Sequence, residues 1–165
     1  MIFLTVGTQL PFDRLTRAVD AWAGGRRDVE VFGQIADPGP SGFVPENFDW
    51  KPFLEPAEFD EMFNRCELVV AHAGMGSIIT ALSTRKPILV MPRRAELKEQ
   101  RNDHQVATAK HLRELGKVAV AMDEAELIQR LERLEDLTAS GAIGPYAQES
   151  LITAVRGVVF PAQDR

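Results

Sequence analysis

The chain has 165 residues, 45% hydrophobic and 26% charged, with a formal net charge of -5. Length and composition suit one ordinary α/β-sized globular domain, residues 1–165, that buries roughly two-thirds of its unfolded surface, and they exclude disordered and fibrous classes. The acidic balance runs against a nucleic-acid binder, the single cysteine Cys66 excludes an internal disulfide, and no apolar run approaches the ~20 residues of a membrane span.

Short apolar runs of strand type alternate along the chain with longer amphipathic runs. Ile2–Val6 reads as a strand and lacks the basic start of a secretory signal, so a cytoplasmic chain is expected. Phe12–Ala23 reads as a helix with Phe12, Leu15, Ala18, Val19 and Trp22 on one face. Val29–Gly33 is a second strand, and the proline- and glycine-rich stretch Asp37–Pro45 is a loop. Asp49–Phe53 is a short strand, Pro56–Asn64 a helix, Leu68–Ala71 a strand and Gly76–Thr84 a helix. Ile88–Met91 is a strand between Pro87 and Pro92, Gln100–Leu115 a long helix closed by Gly116, and Val118–Ala121 a last strand. Glu124–Leu134 and Tyr146–Val159 complete the helices.

Strands alternating with helices imply a doubly wound parallel sheet, and the unalternated apolar runs Val69-Val70 and Ile88–Met91 suit strands buried on both faces. Ligands of such sheets bind at the carboxyl ends of the strands, which directs attention to three loops. Gly7-Thr8-Gln9 follows the first strand. His72-Ala73-Gly74-Met75-Gly76-Ser77 follows the fourth, and its glycines and helix start suit an anion, above all a phosphate. The same residues also suit a plain strand-to-helix turn with Ser77 as N-cap. The third loop, Pro92–Gln105, follows the fifth strand, and between positions 85 and 101 Arg85, Lys86, Arg93, Arg94, Lys98 and Arg101 face only Glu96 and Glu99. Such a segment makes either a cationic rim for a diphosphate or a solvated surface. Asn102, Asp103, His104 and Gln105 follow at the expected start of the long helix, where they serve the helix dipole or grip sugar hydroxyls. Neither a phosphate-binding G-x-x-x-x-G-K-[ST] loop, nor a D-x-D triplet, nor a metal-ligand spacing of the three histidines occurs.

Thr5–Asp13, His72–Leu82, Lys86-Pro87, Met91–Arg94 and Arg101–Gln105 together resemble the C-terminal domain of family 28 glycosyltransferases, in order over residues 1–135. The nearest likeness is to its stand-alone form, the small catalytic subunit of bacterial exopolysaccharide glycosyltransferases and of the eukaryotic dolichol-linked N-acetylglucosaminyltransferase. The resemblance implies the donor-binding half of the two-Rossmann GT-B architecture. It implies Gly7, Thr8 and Gln9 near the diphosphate and Phe53 and Leu54 at the uracil. Gly74, Met75, Gly76 and Ser77, after His72, would receive the diphosphate at the helix start, and Asn102, Asp103, His104 and Gln105 would meet the donor sugar. Thr80 stands where relatives often carry a Glu that bonds the ribose, and Arg93 is a candidate for the diphosphate or a sugar carboxylate.

The function implied is an inverting hexosyltransferase that uses a UDP-sugar and a lipid-linked saccharide acceptor, without metal or other cofactor. His72 and His104 are candidate in-chain bases. A membrane-anchored partner subunit is expected to supply the acceptor half and hold the chain at the inner face of the membrane. The alternative is a non-catalytic nucleotide-sugar-binding or regulatory module. Leu151, Ile152, Val155, Val158 and Val159 form an apolar stripe on the last expected helix. That stripe suits packing on the domain itself, docking on the partner, or a homodimer.

Overall fold

The computed structural model describes residues 1–26, 28–116 and 118–137. The expected helix Tyr146–Val159 lies outside the described residues. Six strands, β1 (Ile2–Thr5), β2 (Val31–Gln34), β3 (Asp49–Lys51), β4 (Leu68–His72), β5 (Ile88–Met91) and β6 (Ala119–Val120), form one sheet in the order β3-β2-β1-β4-β5-β6. Every neighbouring pair is parallel. Among the described residues five α-helices connect and follow the strands: α1 (Asp13–Gly24), α2 (Pro56–Arg65), α3 (Met75–Thr84), α4 (His104–Leu115) and α5 (Glu124–Leu131). The expected α/β doubly wound, Rossmann-like sheet is therefore present.

Strand residues alternate between two cores because successive side chains point to opposite faces. Ile2, Leu4, Val70, Leu89 and Met91 pack with Leu15, Val19 and Trp22 of α1 and Leu127 and Leu131 of α5. Phe3, Val69, Ala71, Ile88 and Val90 pack with Phe63 of α2, Ile78 and Ala81 of α3 and Ala109 of α4. Each fully buried Leu, Ile or Phe contributes roughly 1.5–3 kcal/mol relative to its exposure. On the second face Phe3 meets the rings of Phe59 and Phe63 edge-on at 5.4 and 6.2 Å. The order of the strands reverses between β1 and β4, so the loops after these two strands diverge and leave a crevice between them.

Several element boundaries differ from expectation, each for a local reason. β3 stops at Lys51 because Pro52 has no N–H for the ladder. β2 begins only at Val31, since the Val29 N–H is turned back to the Arg26 carbonyl. The helix after β5 starts at His104 and not at Gln100, because the segment before it is held in turns. The Glu99 carboxylate accepts from the Arg94 N–H at 2.9 Å, and the Asp103 carboxylate accepts from the Ala95 N–H at 2.9 Å. α5 ends at Leu131, and its last expected turn tightens into a 3₁₀ turn at Leu134–Asp136. Gly116 closes α4 at φ +62°, as expected of a left-handed C-cap. Glu55 and Glu58 close a capping box at α2, with Pro56 at its first position.

Candidate functional site

A cavity of about 760 Å³ opens at the carboxyl ends of β1, β2 and β4, where the strand order reverses. Gly7, Thr8 and Gln9 line it from the loop after β1, Phe53 and Leu54 from the loop after β3, and His72, Gly76, Ser77 and Thr80 from the end of β4 and α3. Arg93 and Gln105 line it from the segment after β5. The sheet thus gathers four loops, far apart in sequence, around one crevice.

The start of α3 is the strongest anion feature of this wall. Its first intrahelical bond runs from the Ile78 N–H to the Gly74 carbonyl, which leaves the N–H groups of Met75, Gly76 and Ser77 without an intrahelical acceptor. These donors sit at the positive end of the helix dipole. A Cβ built on Gly76 meets nothing within 4 Å, so its missing side chain leaves open space. Ser77 is not the N-cap that the sequence suggests. Gly74 holds that position, no side chain caps the helix, and Ser77 lies buried two residues inside it.

His72 is wedged between two glycine loops. A Cβ at Gly74 would lie 2.1 Å from His72 Nε2, and one at Gly7 would lie 3.0 Å from His72 Cε1. Gly7 also adopts φ +83°, the left-handed region that favours glycine. Burial, reinforced by the Arg93 charge and opposed by the Thr5 backbone, pulls His72 down to about 4. The imidazole is neutral at physiological pH, and its buried Nδ1 has no partner among the described residues.

Arg93 is 3% exposed, and its guanidinium is committed to the protein. It donates to the carbonyls of Pro11 (2.7 Å), Val6 (3.0 Å) and Leu10 (2.7 Å), and stacks over Phe12 at 4.6 Å. These acceptors are neutral, so a buried positive charge stands in the cavity wall. Burial lowers Arg93 to about 10, which leaves it charged at neutral pH. Its own backbone N–H donates to Gln105 Oε1 at 3.1 Å, so the Gln105 amide has its acceptor engaged and its NH₂ donors remaining. A second arginine ties the same loops from the other side. Arg14 of α1 grips the Glu99 carboxylate at 2.6 and 2.9 Å and donates to the Pro92 carbonyl at 2.9 Å.

The expected cationic rim does not form. Of its six members only Arg93 lines the cavity. Lys86 donates to the carbonyls of Asn64 (2.5 Å) and Cys66 (2.7 Å), next to the start of β4 at the far end of the sheet, and Arg85 caps the C-terminus of α3. Arg94 donates to the Met122 carbonyl and pairs with Glu96. Chain neighbours at a strand start and a strand end are separated by the length of the strand, which a charge count along the sequence does not register.

Gly74, Met75, Asn102, Asp103 and His104 do not line the cavity, although Met75 presents an N–H at the α3 start. Asn102, Asp103 and His104 are exposed, and the first two accept from the backbone N–H groups of His104 and Ala95. Of the two candidate bases, His72 is therefore in the cavity and His104 outside it. The Thr80 hydroxyl donates to the Gly76 carbonyl at 3.0 Å. Gln34 and Asp60 line the cavity without having been singled out in the sequence. Gln34 Nε2 donates to the Gly7 carbonyl at 3.2 Å from a buried strand end. The apolar run before Gln34 gives β2 but no motif that marks its side chain. Among the described residues no three His, Cys, Asp or Glu side chains converge to hold a metal ion, and no helix is long and apolar enough to cross a membrane.

This arrangement has known counterparts. The human UDP-N-acetylglucosamine transferase subunit ALG13 is 31% identical over 123 residues, which cover 70% of this chain. The chain spans only 10% of the length of that protein. The solution NMR structure of ALG13 superimposes with a TM-score of 0.58 at 19% identity, covering 93% of both chains. MurG of Acinetobacter baumannii superimposes with a TM-score of 0.63 at 17% identity, covering 94% of this chain and 49% of that one. These superpositions establish the sheet and helix arrangement as that of GT-B glycosyltransferases. A putative UDP-N-acetylglucosamine 2-epimerase of Listeria monocytogenes shares it as well, with a TM-score of 0.58 at 19% identity over 46% of its length. The fold alone therefore does not select the reaction. Residues 1–142 match the glycosyltransferase family 28 C-terminal domain, and on that match the chain belongs to this family.

Proposed function

We propose that the chain is the donor-binding catalytic subunit of an inverting UDP-sugar glycosyltransferase, acting on a lipid-linked saccharide in exopolysaccharide synthesis. The observation that carries this reading is the α3 start, whose first N–H groups have no intrahelical acceptor and whose Gly76 and Ser77 line the same cavity as the buried Arg93 charge. In the reaction an acceptor hydroxyl oxygen attacks the anomeric carbon. The bond from that carbon to the diphosphate oxygen breaks, UDP departs with the electron pair, and a base takes the acceptor proton. The departing diphosphate gains charge, and the α3 N–H groups and the Arg93 field are oriented in advance to stabilise it without a metal ion. The free NH₂ of Gln105 suits a hydroxyl of the sugar.

The proton needs a base, and neither candidate histidine is well suited to take it. His72, held near 4, is neutral but a weak base, and His104 lies outside the cavity. This supports a base and an acceptor site supplied by a second, membrane-anchored subunit that holds the chain at the inner face of the membrane. The relative named as a transferase subunit agrees with such a division. The experiment is a transfer assay with a panel of UDP-sugars and membranes that contain or lack the partner subunit. Transfer is expected only with both components, together with binding of UDP-sugar by the chain alone. Binding without transfer under any combination would favour a nucleotide-sugar-binding regulatory module instead.

A further inference from the structure

Gln34 lines the cavity from the end of β2 and is 1% exposed. Its Nε2 donates to the Gly7 carbonyl at 3.2 Å, while its Oε1 is buried with no partner among the described residues. A buried acceptor left unpaired costs folding free energy, and an apolar side chain of similar shape avoids that cost. A glutamine is therefore a poor choice for packing alone at this position. Its hydrogen bond to Gly7 is the contact that distinguishes it from an apolar residue.

The Gly7 carbonyl belongs to a loop whose acceptors are bound from within the protein. Arg93 holds the carbonyls of Val6, Leu10 and Pro11, and Gln34 holds that of Gly7. The Gly7 N–H is taken as well, donating to Thr5 Oγ1 at 3.3 Å. The N–H groups of Thr8, Gln9 and Leu10 donate to no described residue, and all three residues line the cavity. A loop with its acceptors held and its donors left over suits an anion. The sheet order fixes where the first of these donors points. The loop follows β1, which has β2 on one side and β4 on the other, and Gln34 pairs in register with Thr5 from the β2 side. The Gly7–Thr8 peptide is trans, so its N–H points opposite to its carbonyl. A carbonyl drawn toward Gln34 therefore turns the Thr8 N–H toward β4, and α3 starts just beyond the end of that strand. Gly7 stands at φ +83° with a glycine's freedom to rotate, so this peptide keeps its direction only while its carbonyl is held. Resting on the UDP reading of the site, we propose that Gln34 is a positioning residue, which by holding the Gly7 carbonyl fixes the Thr8 N–H as a diphosphate donor facing the α3 start.

The test is amide-resolved NMR of the full chain, wild type and Gln34→Met, titrated with UDP and with uridine. Methionine keeps the length and bulk of the side chain and cannot donate. In wild type, saturation with UDP should move the Thr8 amide proton downfield and slow its exchange with solvent, and uridine should do neither. Gln34→Met should keep the folded spectrum, bind UDP at least about tenfold more weakly, and leave the Thr8 amide in rapid exchange even when UDP is bound. A variant that binds UDP as tightly as wild type and still protects Thr8 overturns the role of Gln34 while the nucleotide site stands, and so does one that loses stability alone. A wild-type Thr8 amide that bound UDP leaves unchanged overturns it too, whether or not the variant folds. If no amide of the wild-type chain responds to UDP, the site reading itself falls and takes this inference with it.

Discussion

His72 shows how one side chain can shape a candidate site through its packing. The imidazole fills the gap between the Gly7 and Gly74 loops, so neither glycine tolerates a side chain there. Gly74→Ala would bring a Cβ to 2.1 Å from Nε2 and must expel the ring. We expect a stability loss of roughly 1–3 kcal/mol from this overpacking, whereas Gly76→Ala, which meets nothing, should unfold like wild type in urea. The neutral state of His72 has a consequence for acid stability. Its folded value, about 4, lies below the ordinary 6.5. The unfolded chain therefore binds the proton first, and the contribution of His72 is complete above pH ~6.5 and lost as pH falls toward 4. Urea unfolding between pH 4 and 7 should show a stability decline for wild type, roughly 3 kcal/mol at most from this group, and a shallower one for His72→Asn. Equal slopes would contradict the neutral assignment. At this scale the sequence is informative where backbone freedom is required: Gly7, Gly74 and Gly76 stand out in the chain, and the first two prove to be constrained by the His72 ring while the third faces open space. Gln34 and Asp60 stay hidden, because a glutamine ending a strand and an aspartate among other acids on a helix carry no local signature.

At the level of elements, the loops after β1 and β5 are tied to each other twice. Arg93 reaches from the second loop to three carbonyls of the first, and Arg14 at the head of α1 reaches back to Glu99 and Pro92. The periodicity of the chain predicts α1 and α4 but not this reciprocal grip. A run of arginines reads as a charge to be offered to a ligand, and only tertiary structure reveals that it is spent on backbone. The late start of α4 also follows from tertiary contacts, since the Glu99 and Asp103 carboxylates accept from the Arg94 and Ala95 N–H groups and hold the segment before His104 in turns. Lysine at position 93 lacks the planar fork that meets several carbonyls while stacking on Phe12. Arg93→Lys should cost roughly 1–3 kcal/mol of stability in urea and weaken UDP and UDP-sugar alike, because the loop and the buried charge are both disturbed. Gln105→Ala removes one donor at the sugar end and should weaken UDP-sugar by roughly 0.5–1.5 kcal/mol more than UDP. Calorimetric titration with both ligands separates the two outcomes, and equal losses for Gln105→Ala would contradict a contact with the sugar.

For the molecule as a whole, the alternation of strands and helices was enough to read a parallel, doubly wound sheet, because strands buried on both faces carry unbroken apolar runs such as Ile88–Met91. Which strand ends meet around the crevice follows from the order β3-β2-β1-β4-β5-β6. The parallel run of β5 also explains why Arg93 stands in the cavity wall while Arg85 and Lys86, close to it in sequence, lie at the far end of the sheet. In the proposed function, α3 presents N–H groups without intrahelical acceptors to a diphosphate across the space that Gly76 leaves open. The most direct test is calorimetric titration of UDP onto the isolated chain in EDTA, with wild type beside Gly76→Val. Wild type should bind with unchanged affinity in EDTA. The variant should remain folded, since position 76 meets nothing within 4 Å, and lose UDP binding by at least about tenfold because the branched side chain occupies the space meant for the diphosphate. Normal UDP binding by Gly76→Val would contradict the assignment of the α3 start, and wild-type binding that vanishes with EDTA would contradict stabilisation of the diphosphate by the protein alone.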